Sequence, residues 1–124
     1  MILIEDILEL HRLSIKFYGG AEGVRDSGLL ESAIGRPFQT FGGNDLYATI
    51  FEKAAALGES LIVNHPFVDG NKRTGFLAMV ALVESEGFRI IASQEEAYTF
   101  TIAISTGVKK VDEIVEWLRI NAKA

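Results

Sequence analysis

The sequence predicts an all-α protein, built as one compact bundle of about six helices. Apolar residues recur at helical spacing along nearly the whole chain, while the alternation typical of half-buried strands is scarce. Glycines, prolines and helix-capping residues divide this pattern into six segments. The chain has 124 residues, 48% of them hydrophobic, which fits a single domain with one core. We therefore expect residues 1–124 to form one domain.

Glycines and capping residues indicate where the helices begin and end. Gly19 and Gly20 are expected to end the first helix, because glycine readily takes the left-handed conformation that follows a helix C-terminus. Asn44 or Asp45 is expected to cap the third helix, and Ser93 opens a capping box for the fifth. In chain order, the helices are predicted over about residues 4–18, 27–34, 46–63, 71–86, 94–106 and 111–121.

Two of these helices are predicted to carry the core. The third contains three consecutive alanines, residues 54–56, and Gly58, which indicates close packing against its neighbours. The fourth is apolar on most sides, and we expect it to be the central and most buried helix. The positions expected to be buried in it are Phe76, Leu77, Met79, Val80, Leu82 and Val83.

Composition and charge exclude several classes of function. The formal net charge of −5 disfavours a general nucleic-acid binder and a protein attracted to anionic lipid. The chain has no cysteine, which excludes disulfides and thiolate zinc sites. The N-terminus lacks the pattern of a signal peptide, and no apolar run approaches the roughly 20 residues of a membrane span. We expect a cytoplasmic protein.

Residues 65–73 (HPFVDGNKR) concentrate polar chemistry in a short loop that opens the fourth helix. The first turn of a helix presents unpaired N–H groups and the positive end of the helix dipole, which together favour an anion. Gly70 allows a ligand to approach the backbone closely. Lys72 and Arg73 add full positive charge beside those N–H groups. The pattern therefore predicts a phosphate-binding site.

Two further side chains of this loop suggest phosphoryl chemistry. Asp69 would repel bare phosphate, but a carboxylate suits a Mg²⁺ ion that bridges to phosphate oxygens. The neutral imidazole of His65 could accept a proton from an attacking hydroxyl. Each residue also has a simpler interpretation: His65 as an ordinary loop histidine, Asp69 as a helix cap, Asn71 as a turn residue, and the two cations as solvated charges. The other histidine, His11, is interpreted as a surface or packing residue of the first helix.

The segment from His65 to Thr74 resembles the Fic motif, which runs His-Pro-Phe-x-Asp/Glu-Gly-Asn-Gly-Arg-x-x-Arg. It is still more similar to the Doc (death-on-curing) branch of the Fic/Doc family, which has lysine after the asparagine. The resemblance extends over nearly the whole chain and implies the Fic/Doc fold. Further features typical of the Doc-like N-terminal half are Tyr18-Gly19-Gly20, Gly23-x-Arg25-Asp26, Leu29-Leu30-Glu31 and Arg36-Pro37.

Two departures from the Fic motif bear on the reaction. Lys72 stands where AMP-transferring Fic enzymes have glycine, and Phe76 stands where they have a second arginine that holds the far phosphates. The Doc branch shares both features, and the resemblance implies a nucleotide bound with its γ-phosphate towards His65. It therefore implies phosphorylation of a protein rather than AMP transfer.

The resemblance thus implies a Doc-like toxin that transfers the γ-phosphate of ATP to a Ser/Thr hydroxyl of a protein, with a translation elongation factor as expected target. His65 would be the general base and Asp69 the Mg²⁺ ligand. The nucleotide would be bound by Gly70, Asn71, Lys72 and Arg73, and Arg73 would also take part in catalysis. The alternatives are a protein adenylyltransferase of the Fic type and a catalytically silent binding module.

The resemblance also implies two partner surfaces. Residues 38–46 would form a flap that docks the target through main-chain hydrogen bonds, with Phe41, Gly42 and Gly43 at its centre. The alternative is a plain interhelical loop in which the glycine pair makes a turn. An antitoxin with a disordered tail would need an exposed apolar groove away from the His65 loop, and we expect that groove to involve the first helix.

Overall fold

Six α-helices form most of the computed structural model, which describes residues 2–124. The helices are α1 (Ile4–Tyr18), α2 (Ser27–Gly35), α3 (Ile50–Asn64), α4 (Asn71–Glu84), α5 (Gln94–Ser105) and α6 (Val111–Asn121). A single 3₁₀ turn (Arg36–Phe38) follows α2. The strands are β1 (Thr40–Phe41), β2 (Asn44–Asp45), β3 (Arg89–Ile90) and β4 (Ala122–Lys123). The predicted all-α class is confirmed.

The central helix is α3, not α4 as the sequence suggested. It packs against α4 and α6 and also contacts α2 and α5. Nearly all of its middle is buried, including the predicted alanine run. On α4, by contrast, Phe76, Leu77 and Val80 are only partly buried. The apolar pattern could not rank the two helices, because burial depends on how many neighbours surround a helix.

The contact between α3 and α4 is close enough to require glycine on both sides. A Cβ atom at Gly58 of α3 would collide with the side chain of Met79. A Cβ atom at Gly75 of α4 would lie 2.5 Å from Cγ1 of Ile62. The close packing predicted from Gly58 is therefore confirmed, and Gly75 contributes equally to it.

A short antiparallel hairpin occupies the region where the cap of the third helix was predicted. Strands β1 and β2 are joined by Gly42 and Gly43, whose φ angles of 59° and 82° suit the tight turn of a two-residue hairpin. The predicted cap was wrong, because Asn44 and Asp45 form β2. Helix α3 begins only at Ile50, where the Thr49 side chain accepts a hydrogen bond from the N–H of Glu52 at 3.1 Å.

The other end of the chain follows the predicted pattern with small changes. Helix α4 ends at Glu84, two residues earlier than expected. Strand β3 lies between α4 and α5 and pairs with β4, which follows α6. The predicted capping box of α5 is present, with Ser93 and Glu96 each bonding to the other's backbone N–H. None of the helices found in residues 2–124 is long and apolar enough to cross a membrane.

Candidate active site

His65 lies at the end of α3 in an unusual backbone conformation. Its φ of 52° and ψ of 60° are left-handed, and it is the one non-glycine residue with positive φ between residues 2 and 124. The guanidinium of Arg25 donates to the carbonyl oxygen of His65 at 2.7 Å and to that of Asn64 at 2.8 Å. Arg25 thereby satisfies carbonyl groups that the end of α3 leaves unpaired. His65 itself is exposed.

The segment before α2 pairs with the loop that follows His65. The N–H groups of Arg25 and Asp26 donate to the carbonyl oxygen of Pro66 at 2.8 and 3.0 Å. The N–H of Val68 donates to the carbonyl oxygen of Gly23 at 3.0 Å. These bonds hold one edge of the loop in an antiparallel arrangement with residues 23–26.

Asn71 closes the loop from its other end. Its side-chain oxygen accepts from the N–H of Phe67 at 2.9 Å, and its side-chain nitrogen donates to the carbonyl oxygen of Phe67 at 3.0 Å. The carboxamide therefore does the structural work of a turn residue. Its predicted contact with nucleotide phosphate stays a prediction.

Asp69 presents its carboxylate on the exposed side of the loop. One oxygen accepts from the N–H of Gly70 at 2.9 Å, and the other accepts from the N–H of Ala21 at 3.2 Å. A side chain at Gly20 would collide with this carboxylate, since its Cβ would lie 2.7 Å from Oδ2. Within residues 2–124 there is no group of three or more His, Cys, Asp or Glu side chains able to hold a metal ion. The role of Asp69 as a Mg²⁺ ligand stays a prediction.

The N-terminus of α4 is open to an anion. Its N-cap residue is Gly70, with φ of 74°, and no side chain caps the helix. In the described part of the chain, the N–H groups of Asn71, Lys72 and Arg73 have no hydrogen-bond acceptor. Lys72 and Arg73 are both exposed beside them. Unpaired N–H groups, the helix dipole and two cations make this an attractive site for phosphate.

Arg73 is also held by an aromatic side chain, in a contact that the sequence did not predict. Its guanidinium carbon lies 4.2 Å from the centre of the Tyr18 ring, at the last residue of α1. Such a cation–π contact orients the guanidinium and leaves its N–H donors free for a ligand. One feature of the sequence could have drawn attention to Tyr18. It follows His11 by seven residues, so the two side chains lie on the same face of α1.

The structure therefore brings His65, Asp69, Gly70, Asn71, Lys72 and Arg73 into a single loop and helix start. It also adds Arg25 from the segment before α2, and His11 and Tyr18 from α1. The proposed docking residues Phe41, Gly42 and Gly43 are exposed on the hairpin. No hydrogen bond found in residues 2–124 joins them to the His65 loop.

Comparison with known proteins adds family relationships to this geometry. The profile of the Fic/DOC family matches residues 2–83. The chain is 42% identical over 88 residues to a Mycolicibacterium smegmatis protein named Toxin Doc, a match that covers 71% of this chain and 65% of that protein. It is 30% identical over 115 residues to Protein kinase doc of Escherichia phage P1, covering 93% of this chain and 90% of the phage protein. The chain thus spans slightly under two thirds of the mycobacterial relative.

Proposed function

Because the chain belongs to the Fic/Doc family, we propose that it is a Doc-like toxin that transfers the γ-phosphate of ATP to a Ser/Thr hydroxyl of a protein. The observation that carries this proposal is the uncapped N-terminus of α4, with His65 at one end of its loop and two cations at the other. The names of two relatives, one a toxin and one a protein kinase, support it. A translation elongation factor is the target we propose.

The residues present fit ATP and Mg²⁺. The unpaired N–H groups of α4, together with Lys72 and Arg73, suit the polyphosphate. Asp69 suits the metal, because Mg²⁺ in nucleotide sites commonly takes one or two carboxylates and completes its shell with phosphate oxygens and water. When bound, Mg²⁺–ATP supplies the phosphoryl group, and the metal offsets part of the phosphate charge.

In the proposed reaction, His65 acts as general base. Its neutral imidazole takes the proton of the target hydroxyl as that oxygen forms its bond to the γ-phosphorus. The bond between the γ-phosphorus and the bridging oxygen to the β-phosphate breaks, and ADP leaves. The proton stays on His65 until it passes to solvent. Arg73 and the N–H groups of α4 stabilise the charge that builds on the phosphate oxygens.

Phe76 favours phosphoryl transfer over AMP transfer. It contributes no hydrogen-bond donor where Fic enzymes that transfer AMP place an arginine. Its ring packs edge-on against Phe100 and Trp117, with ring centres 6.3 and 6.2 Å apart. The partly buried side chain thus packs against the hydrophobic core, and it supplies no second clamp for the far phosphates.

Labelled ATP distinguishes the candidate reactions. The protein would be incubated with a purified elongation factor and with a cell lysate, using ATP labelled at the γ- or at the α-phosphate. We expect γ-label on the protein target. Label from the α-phosphate would establish AMP transfer instead. If neither label is transferred while the protein binds its partner, the binding-module alternative is correct.

Variants of the loop complete this experiment. We expect His65→Ala to lower phosphorylation at least about 100-fold, because general-base catalysis typically contributes that much. Val68→Ala is the matched control, since Val68 is in the same loop, is 55% exposed and carries no functional group. Equal activity of the two variants would remove His65 from the mechanism.

We also propose that an antitoxin tail binds a partly apolar groove between α1 and α4. The groove encloses about 370 Å³ and is lined by Ile2, Asp6, Glu9, Leu10, Ala81, Leu82 and Ser85. Three of these residues, Asp6, Glu9 and Leu10, belong to α1. Ala81 lies ten residues after Asn71, roughly 15 Å along α4 from the His65 loop. A tail that folds on binding needs such an apolar surface to offset its ordering entropy.

A further inference from the structure

His11 is buried directly beneath the active-site loop, although it belongs to α1. The residue is only 5% exposed, and its Nε2 lies 2.8 Å from the carbonyl oxygen of Asp69. A carbonyl oxygen can only accept, so Nε2 carries the proton and donates it. The imidazole also stacks on the ring of Phe67, with centres 3.9 Å apart and planes 6° from parallel.

The contacts of His11 fall on the part of the loop where the metal and phosphate groups would bind. A Cβ atom at Gly70 would lie 3.9 Å from His11 Cδ2, 3.7 Å from Ser14 Oγ and 3.2 Å from Ile15 Cδ1. This face of α1 therefore packs directly against Gly70. His11 bonds the carbonyl oxygen of the 69–70 peptide, and the Asp69 carboxylate accepts from the N–H of that same peptide and from the N–H of Ala21.

We propose that His11 is a positioning residue whose Nε2–H bond fixes the 69–70 peptide and, through it, the Asp69 carboxylate and the first N–H groups of α4. This inference rests on the proposed phosphoryl transfer. The bond matters because it supplies a donor to a partly buried carbonyl, and polar groups removed from water in folded proteins are nearly always paired. A displacement of about 1 Å in a reacting group can lower a rate about 100-fold. His11 itself touches no substrate.

A pair of substitutions separates the hydrogen bond from the stacking contact. His11→Phe keeps an aromatic ring against Phe67 but loses the donor. His11→Gln keeps an N–H donor at about the same reach but loses the ring. We expect His11→Phe to lower kcat for target phosphorylation at least tenfold, and His11→Gln to stay within about threefold of the wild type. Ile7→Ala is the control for lost stability, because Ile7 is fully buried one turn earlier on α1.

Amide hydrogen exchange of the protein without nucleotide gives a readout that does not depend on activity. We expect exchange at the Gly70 N–H to be at least tenfold faster in His11→Phe than in the wild type. In His11→Gln and Ile7→Ala, exchange at Gly70 should change only as much as global unfolding does. Unfolding midpoints of all variants establish that global contribution.

The possible outcomes separate this inference from the proposed function. Wild-type exchange at Gly70 in His11→Phe would overturn the positioning role, whatever the activity. Equal losses of kcat in His11→Phe and His11→Gln would also overturn it, since the donor would then not matter. A wild-type protein that transfers no phosphate would refute the proposed function and the catalytic part of this inference. The exchange data would still decide whether His11 holds the loop.

Discussion

The backbone of His65 is held in a conformation that most residues avoid. A left-handed residue other than glycine costs about 1–2 kcal/mol, and His65 is the one such residue in the described chain, residues 2–124. The guanidinium bonds from Arg25 and the pairing with residues 23–26 hold it there. Strain of this kind persists where the surroundings enforce it, and it is frequent at functional sites. The conformation is consistent with the proposed role of His65 as general base.

Tyr18 provides a test of how Arg73 is held for phosphate. We expect Tyr18→Ala to raise the KM for ATP about two- to fivefold, because exposed cation–π contacts contribute roughly 0.5–1 kcal/mol. Tyr18→Phe keeps the ring and should leave the KM unchanged. Phe17→Ala is a matched control, since Phe17 is 71% exposed and its ring faces Lys16 instead. A wild-type KM in Tyr18→Ala would show that Arg73 does not depend on the ring.

The β1–β2 hairpin is anchored at its base and free at its tip. Arg36, before β1, donates to Tyr47 Oη at 3.0 Å and to Glu59 at 2.9 Å, and Lys53 bonds Asp45 and the carbonyl oxygen of Tyr47. Burial lowers the pKa of Arg36, but its hydrogen bonds to Tyr47 and Glu59 outweigh burial and raise the pKa above its usual value. Arg36 therefore stays charged. The base is fixed to α3, while Phe41 at the tip is 81% exposed.

The register of the hairpin identifies which backbone groups a target segment could pair with. Gln39 and Leu46 share a hydrogen bond between the strands, and Thr40 lies opposite Asp45 in the next pair. Since paired positions alternate in an antiparallel ladder, the N–H and C=O of Thr40 and Asp45 point outwards. Asp45 is tied to Lys53 of α3. The Thr40 edge is therefore the freer one for strand addition.

We expect Thr40→Pro to slow modification of the protein target at least about tenfold while ATP binding stays unchanged. Proline removes the outward donor but no bond of the hairpin itself. Proline at Gly42 or Gly43 is a poorer test, because their positive φ angles are closed to proline and the turn would be lost. Thr40→Val keeps the N–H and should behave as the wild type. Target kinetics of Thr40→Pro that match those of Thr40→Val would exclude docking on this edge.

At the scale of the whole molecule, α1 and α4 connect two separate surfaces. Tyr18, at the end of α1, meets Arg73 at the start of α4. Leu10, nearer the start of α1, and Leu82, near the end of α4, line the groove together. The helices therefore run in opposite directions. An antitoxin tail in the groove would contact the same helix that carries His11, without covering His65 directly.

If the antitoxin tail binds in the groove, a substitution there should weaken neutralisation by the antitoxin without lowering the activity of the toxin. We expect Leu10→Gln to retain phosphorylation but to weaken the affinity for the cognate antitoxin at least about tenfold, since a well-buried Leu side chain contributes about 1.5–3 kcal/mol. The measurement is antitoxin binding, together with growth of cells that co-express both proteins. Leu8→Gln is the control, because Leu8 is on α1 but does not line the groove. Unimpaired neutralisation of Leu10→Gln would place the tail elsewhere.

The sequence by itself determined most of the helices, the Fic/Doc membership and the segment that carries the candidate chemistry. These features are local in the chain: glycine stops after α1 and α5, the Ser93 capping box, and the residues from His65 to Arg73. Local steric preferences and helix-end hydrogen bonds are properties of neighbouring residues, so spacing reveals the helix limits. The family came instead from the resemblance of the segment His65–Thr74 to the Fic motif.

Only the tertiary structure decided which residues support that segment and which helix is central. His11 is 58 positions from Asp69 and Arg25 is 40 from His65, so neither hydrogen bond leaves a trace in local spacing. The hairpin was mistaken for a helix cap because Asn and Asp are favoured both in caps and near turns. The greater burial of α3 compared with α4 likewise depends on contacts between distant segments. Such contacts form only when the whole chain packs, because each needs several elements in place at once.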